Sequence, residues 1–223
     1  MVMIETVDAV PRAFLGVERS ATDQRWMSRL DQAGQNRALA MSQVHGIPEL
    51  IARVLAGRNV GVDDALAFLD PTIRSLMPDP HTLTDCENAA KRIADAIEKR
   101  EKIAIFGDYD VDGAASSALM YRFLHHFGLN PEIYIPDRIF EGYGPNPAAM
   151  QQLAANGATL IITVDCGSTS HESLEAARHA GTDVLVIDHH QVGTELPPAV
   201  ALVNPNREDD LSGQGHLCAA GVV

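Results

Sequence analysis

At 223 residues and 46% hydrophobic, the chain can bury one large core or two small ones, which excludes a disordered or fibrous protein. Its longest apolar stretches, such as ATLIITV at 158–164, fall far short of a membrane span. The net charge of −13 is uneven: residues 1–100 hold 12 Lys/Arg and 14 Asp/Glu, whereas residues 101–223 hold 5 against 16, or −11, the opposite of the basic surface that usually meets a nucleic-acid backbone.

Residues 1–20 have weak periodicity and are expected to be loosely held. The opening MVMIETVDAVPRAF lacks the basic-then-apolar order of a signal peptide, and a cytoplasmic protein is expected. The first hundred residues read as helical. IPELIARVLAG (47–57) carries a helical apolar period closed by Gly57, Val62–Leu69 forms a second short helix stopped by Pro71, and Thr84 is expected to cap a longer one over 86–100. From residue 101 the rhythm becomes strand then helix. The strands are KIAIF (102–106), EIYIP (132–136), ATLIITV (158–164) and DVLVI (183–187), with helices over 113–127, 146–156 and 170–180 between them. Runs such as LIITV and VLVI are apolar without alternation, as in parallel strands covered on both faces. The expected fold is therefore an α/β, doubly wound, mainly parallel sheet over 101–223, preceded by a small helical region over 1–100. Cys86, Cys166 and Cys218 form no C-x-x-C pair, which favours reduced packing thiols over disulfides or a zinc knuckle.

Three of the four strands run into metal-type side chains. KIAIF leads to GDYDVDG, with Asp108, Asp110 and Asp112; ATLIITV to Asp165-Cys166-Gly167; DVLVI to Asp188-His189-His190. The alternating aspartates and Gly113 resemble the start of a calcium-binding EF-hand loop. However, its twelfth position is Leu119 rather than glutamate, and a strand rather than a helix precedes it. Taken singly, Asp165 reads as a helix cap and each histidine as a structural group. In a doubly wound sheet, though, ligands bind outside the carboxyl ends of the strands, so the three ends would bring five carboxylates and two imidazoles into one crevice. Like charges so close raise one another's pKa unless cations offset them. Carboxylates with imidazole and no thiolate suit Mn²⁺ or Mg²⁺, with Zn²⁺ less favoured. A pair of such ions suits phosphoryl displacement. Gly107 and Gly113 would let the loop turn tightly, and AASSA (114–118) would let the next helix approach the sheet with its N-terminus near the anion.

GDYDVDG, DCG and DHH, in this order on successive strands, resemble the DHH phosphoesterase superfamily. AIEKREKIAIFGDYDVDGAAS, FLDP (68–71), the stretch from LMPDP to LTDCENAAKRI (76–93), IPDRIFEGYGPN (135–146) and HLCAAGVV (216–223) are similar to the RecJ family of single-strand-specific exonucleases. The resemblance covers about residues 45–223. It implies two divalent cations, with Asp108 and Asp110 on one, Asp112 and His189 on the other, and Asp165 bridging. Asp188 would orient the histidine pair from behind, and His190 would face the scissile phosphate. Arg138 and the GYGPN turn, with Tyr143, Gly144 and Asn146, would grip substrate phosphates; Pro145 stands where the family commonly has leucine. The activity so implied is metal-dependent 5′→3′ hydrolysis of single-stranded DNA to 5′-mononucleotides in repair and recombination. A single-strand-binding protein and a helicase would be partners, and the protein would be a monomer. The family continues past the point matching Val223 into the rest of this domain, a further aspartate ligand, a second catalytic domain and an oligonucleotide-binding domain. An N-terminal fragment with weak or no activity of its own is therefore expected. Two alternatives are another DHH enzyme (a pyrophosphatase or an oligonucleotide or cyclic-dinucleotide phosphodiesterase) and a non-catalytic DHH scaffold binding replication partners. A receiver-type domain would also place aspartates at strand ends but would not need adjacent histidines.

Overall fold

The computed structural model describes residues 12–223. The expectation of a loose start falls, for residues 1–11, outside the described residues; from Phe14 onward the backbone is tied, with Phe14 N–H donating to Trp26 O at 2.8 Å and Trp26 N–H to Val17 O at 3.1 Å. The chain divides into two compact units between Met77 and Pro78.

The first unit is helical. α1 (Gln32–His45) begins where the Asp31 carboxylate accepts from Gly34 N–H and ends at Gly46 in the left-handed region, φ 67°. It went unread in the sequence because QAGQNRALAMSQVH carries no apolar stripe. α2 (Glu49–Gly57), α3 (Ala65–Leu69) and a short α4 (Ile73–Leu76) follow. Ala38, Met41, Ile47, Ala52, Leu55 and Val60 form the core of this unit.

The second unit begins earlier than residue 101, because α5 (Cys86–Glu98) packs through Ala89, Ile93 and Ala96 on the sheet. Thr84 does not cap α5. Its N–H goes to the Asp210 carboxylate, and Asp85 occupies the N-cap position at φ 64° without a side-chain cap bond. Asp85 is drawn away by Arg207 Nη1, 2.8 Å from its Oδ2, a partner far along the chain that no local pattern announces.

The strands are β1 (Ile103–Phe106), β2 (Glu132–Tyr134), β3 (Leu160–Val164), β4 (Asp183–Ile187) and β5 (Ala201–Val203), and the helices among them are α6 (Val111–His126), α7 (Pro147–Ala155) and α8 (His171–His179). All pairings are parallel, in the order β2-β1-β3-β4-β5. β5 went unread: three residues without a preceding helix give no period. On one face Ile103, Ile105, Leu160, Ile162 and Leu185 pack with α5 and with Met120 and Leu124 of α6. On the other, Ala104, Phe106, Ile161, Val184 and Val186 pack with Met150 and Leu153 of α7 and Leu174 of α8. The sheet is thus doubly wound, and burial on both faces explains why its strands read as unbroken apolar runs. No helix among the described residues is long and apolar enough to cross a membrane.

β1, β3 and β4 are direct neighbours, with Phe106 opposite Thr163 and Val164 opposite Ile187. Their carboxyl ends are level, and the chain order reverses between β1 and β3. That reversal opens a crevice where ligands of such sheets bind.

Candidate metal centre

The loop after β1 is held by its own first helical turn. Asp110 caps α6, its Oδ1 accepting Asp112 N–H at 2.8 Å and Gly113 N–H at 2.9 Å, and these bonds, the Gly113 amide foremost, keep its carboxyl below the usual range. At Gly113 a Cβ would lie 2.6 Å from the Asp108 carbonyl oxygen and 2.7 Å from Asp108 N and Cβ, so only glycine lets α6 come this close. Gly113→Ala is accordingly expected to cost about 3 kcal/mol, the upper end for forcing a methyl into a packed site. Urea unfolding at equal m-value would measure it, and a loss under about 1 kcal/mol would show that the loop yields.

The loop after β3 is equally constrained. Asp165 is 1% exposed and takes φ 62°, a left-handed conformation that aspartate tolerates better than most residues. Gly167 follows at φ 112°, where a Cβ would meet Thr163 Oγ1 at 2.6 Å. Burial, and after it the charges of Asp112 and Asp110, push the Asp165 carboxyl up to about 7. Burial likewise raises Asp108.

After β4, Asp188 works as a hub. Its Oδ1 accepts the backbone N–H groups of His189 at 2.7 Å and His190 at 3.2 Å, and His190 Nδ1 at 2.8 Å; its Oδ2 accepts Ser168 N–H at 3.1 Å. Burial alone would raise Asp188, but the donors, His190 and Ser168 first, hold it low. Burial also works against a proton on His190, yet the Asp188 hydrogen bond and charge leave its pKa raised. His189 Nδ1 faces the Leu217 carbonyl at 3.1 Å. An N–H there donates to that oxygen and leaves Nε2 as an acceptor, 3.3 Å from Asp165 Oδ1 and 3.6 Å from Asp112 Oδ2.

The side chains expected to meet do so in two groups. Asp108, Asp110 and Asp165 bring ligand atoms within 4.8 Å of one another, as do Asp165, His189 and His190, so Asp165 belongs to both. Buried Asp108 Oδ1 and Asp165 Oδ1 have no hydrogen-bond partner among the described residues. Unpartnered carboxylate oxygens in a dry site are costly, and a divalent cation is the partner that this donor set fits. Asp112 lies at the edge, its two oxygens taken up by Ala219 N–H at 2.8 Å and Ala220 N–H at 2.9 Å.

Of the substrate-side residues, Tyr143 reaches the centre: its hydroxyl donates to the Asp165 carbonyl at 3.0 Å and lies 3.3 Å from the His190 ring nitrogens. Arg138 sits with its guanidinium 5.1 Å above the Tyr109 ring, which meets Tyr143 edge-on at 6.4 Å. Gly144, at φ 76°, lies beside Cys166 and Ser170. Asn146 is occupied as the cap of α7, accepting Ala149 N–H at 2.9 Å while its amide donates to Glu141 at 3.2 Å. Cys166 is a buried packing thiol, and all three cysteines are free.

Sequence reasoning missed the support behind the histidines. Asn204 donates to Ser168 Oγ at 2.8 Å and to the His190 carbonyl at 3.0 Å, and Asn206 donates to the His189 carbonyl. The available signal was NPN at 204–206, a turn directly after the apolar ALV.

A family model, the N-terminal domain of the DHH family, matches residues 102–223. The chain belongs to the DHH family. Among curated DHH relatives it is 35% identical over 203 residues to the single-stranded-DNA-specific exonuclease RecJ of Bacillus subtilis, covering 91% of this chain and 26% of that protein. It is 37% identical over 178 residues to the enzyme of the same name from Escherichia coli, covering 79% and 30%. It therefore spans less than a third of the length of either relative. Of solved structures, a manganese-bound RecJ exonuclease superposes with a TM-score of 0.57 at 34% identity, covering 63% of this chain and 35% of that one. RecJ of Thermus thermophilus in complex with Mn²⁺ superposes with a TM-score of 0.64 at 25% identity, over 88% and 26%.

Proposed function

We propose that this chain carries the two-cation centre of a 5′→3′ exonuclease that hydrolyses single-stranded DNA to 5′-mononucleotides. The observation that carries the reading is the convergence of three strand ends on buried carboxylate oxygens without partners, in a chain similar to single-strand-specific exonucleases. Asp108 and Asp110 would hold one Mn²⁺ or Mg²⁺ ion, Asp112 and His189 the other, with Asp165 between them. Such ions, when bound, supply positive charge at the phosphate and acidify a water. His190, kept protonated more readily by Asp188, would donate to a phosphate oxygen, and Tyr143 would fix its ring. Arg138, exposed and stacked over Tyr109, would offer its fork to a neighbouring phosphate. The role belongs to DNA repair and recombination in the cytoplasm, by a monomer, with a single-strand-binding protein and a helicase as partners.

The reading is tested by nucleotide release from 5′-labelled single strands with Mn²⁺, beside one of the longer relatives. Slow, chelator-sensitive release of 5′-mononucleotides, absent with duplex, is the expected result. Faster turnover of pyrophosphate or a cyclic dinucleotide would instead favour another DHH phosphoesterase, and Mn²⁺ binding without turnover even in a chain extended to the length of the relatives would favour a scaffold.

Cation binding should also be proton-linked. The Asp165 pKa is raised to about 7, so below that pH a cation must displace a proton, and above it none. Mn²⁺ affinity should accordingly fall by up to about tenfold per pH unit below about 7 and level off above about 8. Calorimetry on either side of that pKa, in buffers of different ionisation enthalpy, checks the proton release; a flat profile would remove Asp165 from the ligand set.

A further inference from the structure

One turn near the end of the chain touches both residues assigned to one half of the centre. The Leu217 carbonyl lies 3.1 Å from His189 Nδ1, and the amides of Ala219 and Ala220 donate to Asp112 Oδ2 and Oδ1 at 2.8 and 2.9 Å. The two amides open α9 (Ala219–Val222), whose N-cap residue, Cys218, makes no side-chain cap bond. Asp112 thus serves as the missing cap from 107 residues away. Among the described residues the Asp108 and Asp110 half has no such strap: Asp110 is fixed by amides of its own helix, and Asp108 Oδ1 has no partner.

We propose that the Leu217–Ala220 turn is a positioning element for the Asp112/His189 half of the metal centre, so that cation binding there and docking of α9 reinforce each other. This rests on the two-cation reading but assigns a role to residues that do not themselves hold the ion. Two physical effects act together. The Leu217 carbonyl selects the His189 tautomer whose Nε2 lone pair faces Asp112 and Asp165, and a partner on the far ring nitrogen both orients an imidazole ligand and raises its basicity. The paired amides hold the Asp112 carboxylate in one rotamer, removing the entropy loss that a cation would otherwise impose. Because coupling between two equilibria is reciprocal, a cation that fixes Asp112 and His189 must in turn hold the turn in place.

The test uses Ala220→Pro and Ala220→Gly. Proline at position 220 deletes one amide facing Asp112 and also strains the helical conformation of Ala219 before it; Ala220 is only half-buried, which leaves room for the ring. Glycine keeps the amide while weakening the helix, so it isolates the hydrogen bond from helix stability. Mn²⁺ titration by calorimetry should show Ala220→Pro about tenfold weaker at one of two sites and unchanged at the other, in line with losses at partners behind metal ligands. Ala220→Gly should stay within about twofold of the parent by the same reasoning. Equal weakening of both sites, or none, would overturn the proposal. A single-site titration in the parent would instead sink the two-cation reading on which it rests. Should the proline variant not fold, hydrogen exchange on the unaltered chain decides: the Ala219 and Ala220 amides should exchange more slowly with Mn²⁺, and unchanged exchange would overturn the coupling.

Discussion

Replacing Asp165 is expected to abolish cation binding in both halves of the centre, whereas replacing Asp108 removes only one. Asp165 belongs to both ligand groups and lies 3.3 Å from His189 Nε2. Partners behind a ligand already contribute about 10- to 100-fold in affinity, so loss of a shared ligand should cost about a hundredfold or more. The choice of substitution matters, because Asp165 sits at φ 62°. Asparagine tolerates that region nearly as well as aspartate, but alanine does not. Asp165→Asn should therefore lose Mn²⁺ while keeping its melting temperature, and Asp165→Ala should lose both Mn²⁺ and about 1 kcal/mol of stability. Mn²⁺ calorimetry beside thermal unfolding separates the two effects. Equal losses of affinity for the Asp165 and Asp108 variants would remove Asp165 from its bridging role.

The second large effect concerns turnover. In a full-length protein carrying this segment, Asp110→Asn and His189→Ala should each reduce nucleotide release by about a thousandfold, since losing a proposed ligand would disable water activation rather than packing. Asparagine is chosen at position 110 because its side-chain oxygen can still cap α6 through the Asp112 and Gly113 amides. The helix then remains while the charge goes. His189 is partly exposed, and its removal leaves the sheet core untouched. Circular dichroism checks folding, and release of labelled nucleotide measures the chemistry. If either variant retained a tenth of the parent rate with Mn²⁺, catalysis would lie elsewhere.

Much of this was legible in the sequence, for a physical reason. A strand buried on both faces reads as an unbroken, mainly apolar run, so LIITV and VLVI declared themselves, and each ran directly into its Asp165 or Asp188 motif. The chemistry sits where strands end, and strand ends are local features. Even the demand for Gly113 was visible, although the reason for it, contact with the Asp108 backbone, was not.

Tertiary structure decided what depends on partners far apart in the chain. Neither the order β2-β1-β3-β4-β5 nor the three-residue β5 follows from periodicity, yet this order sets the three motif-bearing ends side by side. α5 joined the sheet unit because its apolar face found the β strands. Thr84 does not cap α5 because its N–H is engaged by the Asp210 carboxylate, and Asp85, at the cap position, is drawn to Arg207; both partners lie over a hundred residues away. Asn204 and Asn206 donate to the carbonyls of the histidine loop, and the Leu217 carbonyl lies 3.1 Å from His189 Nδ1. The sequence by itself determined which carboxylates and imidazoles are present and that they follow strands, since both are encoded within a few residues. Which carboxylate oxygens lie buried, which carbonyl faces His189 Nδ1 and which aspartate lies in both side-chain groups were decided by close packing of segments that only the folded chain brings together.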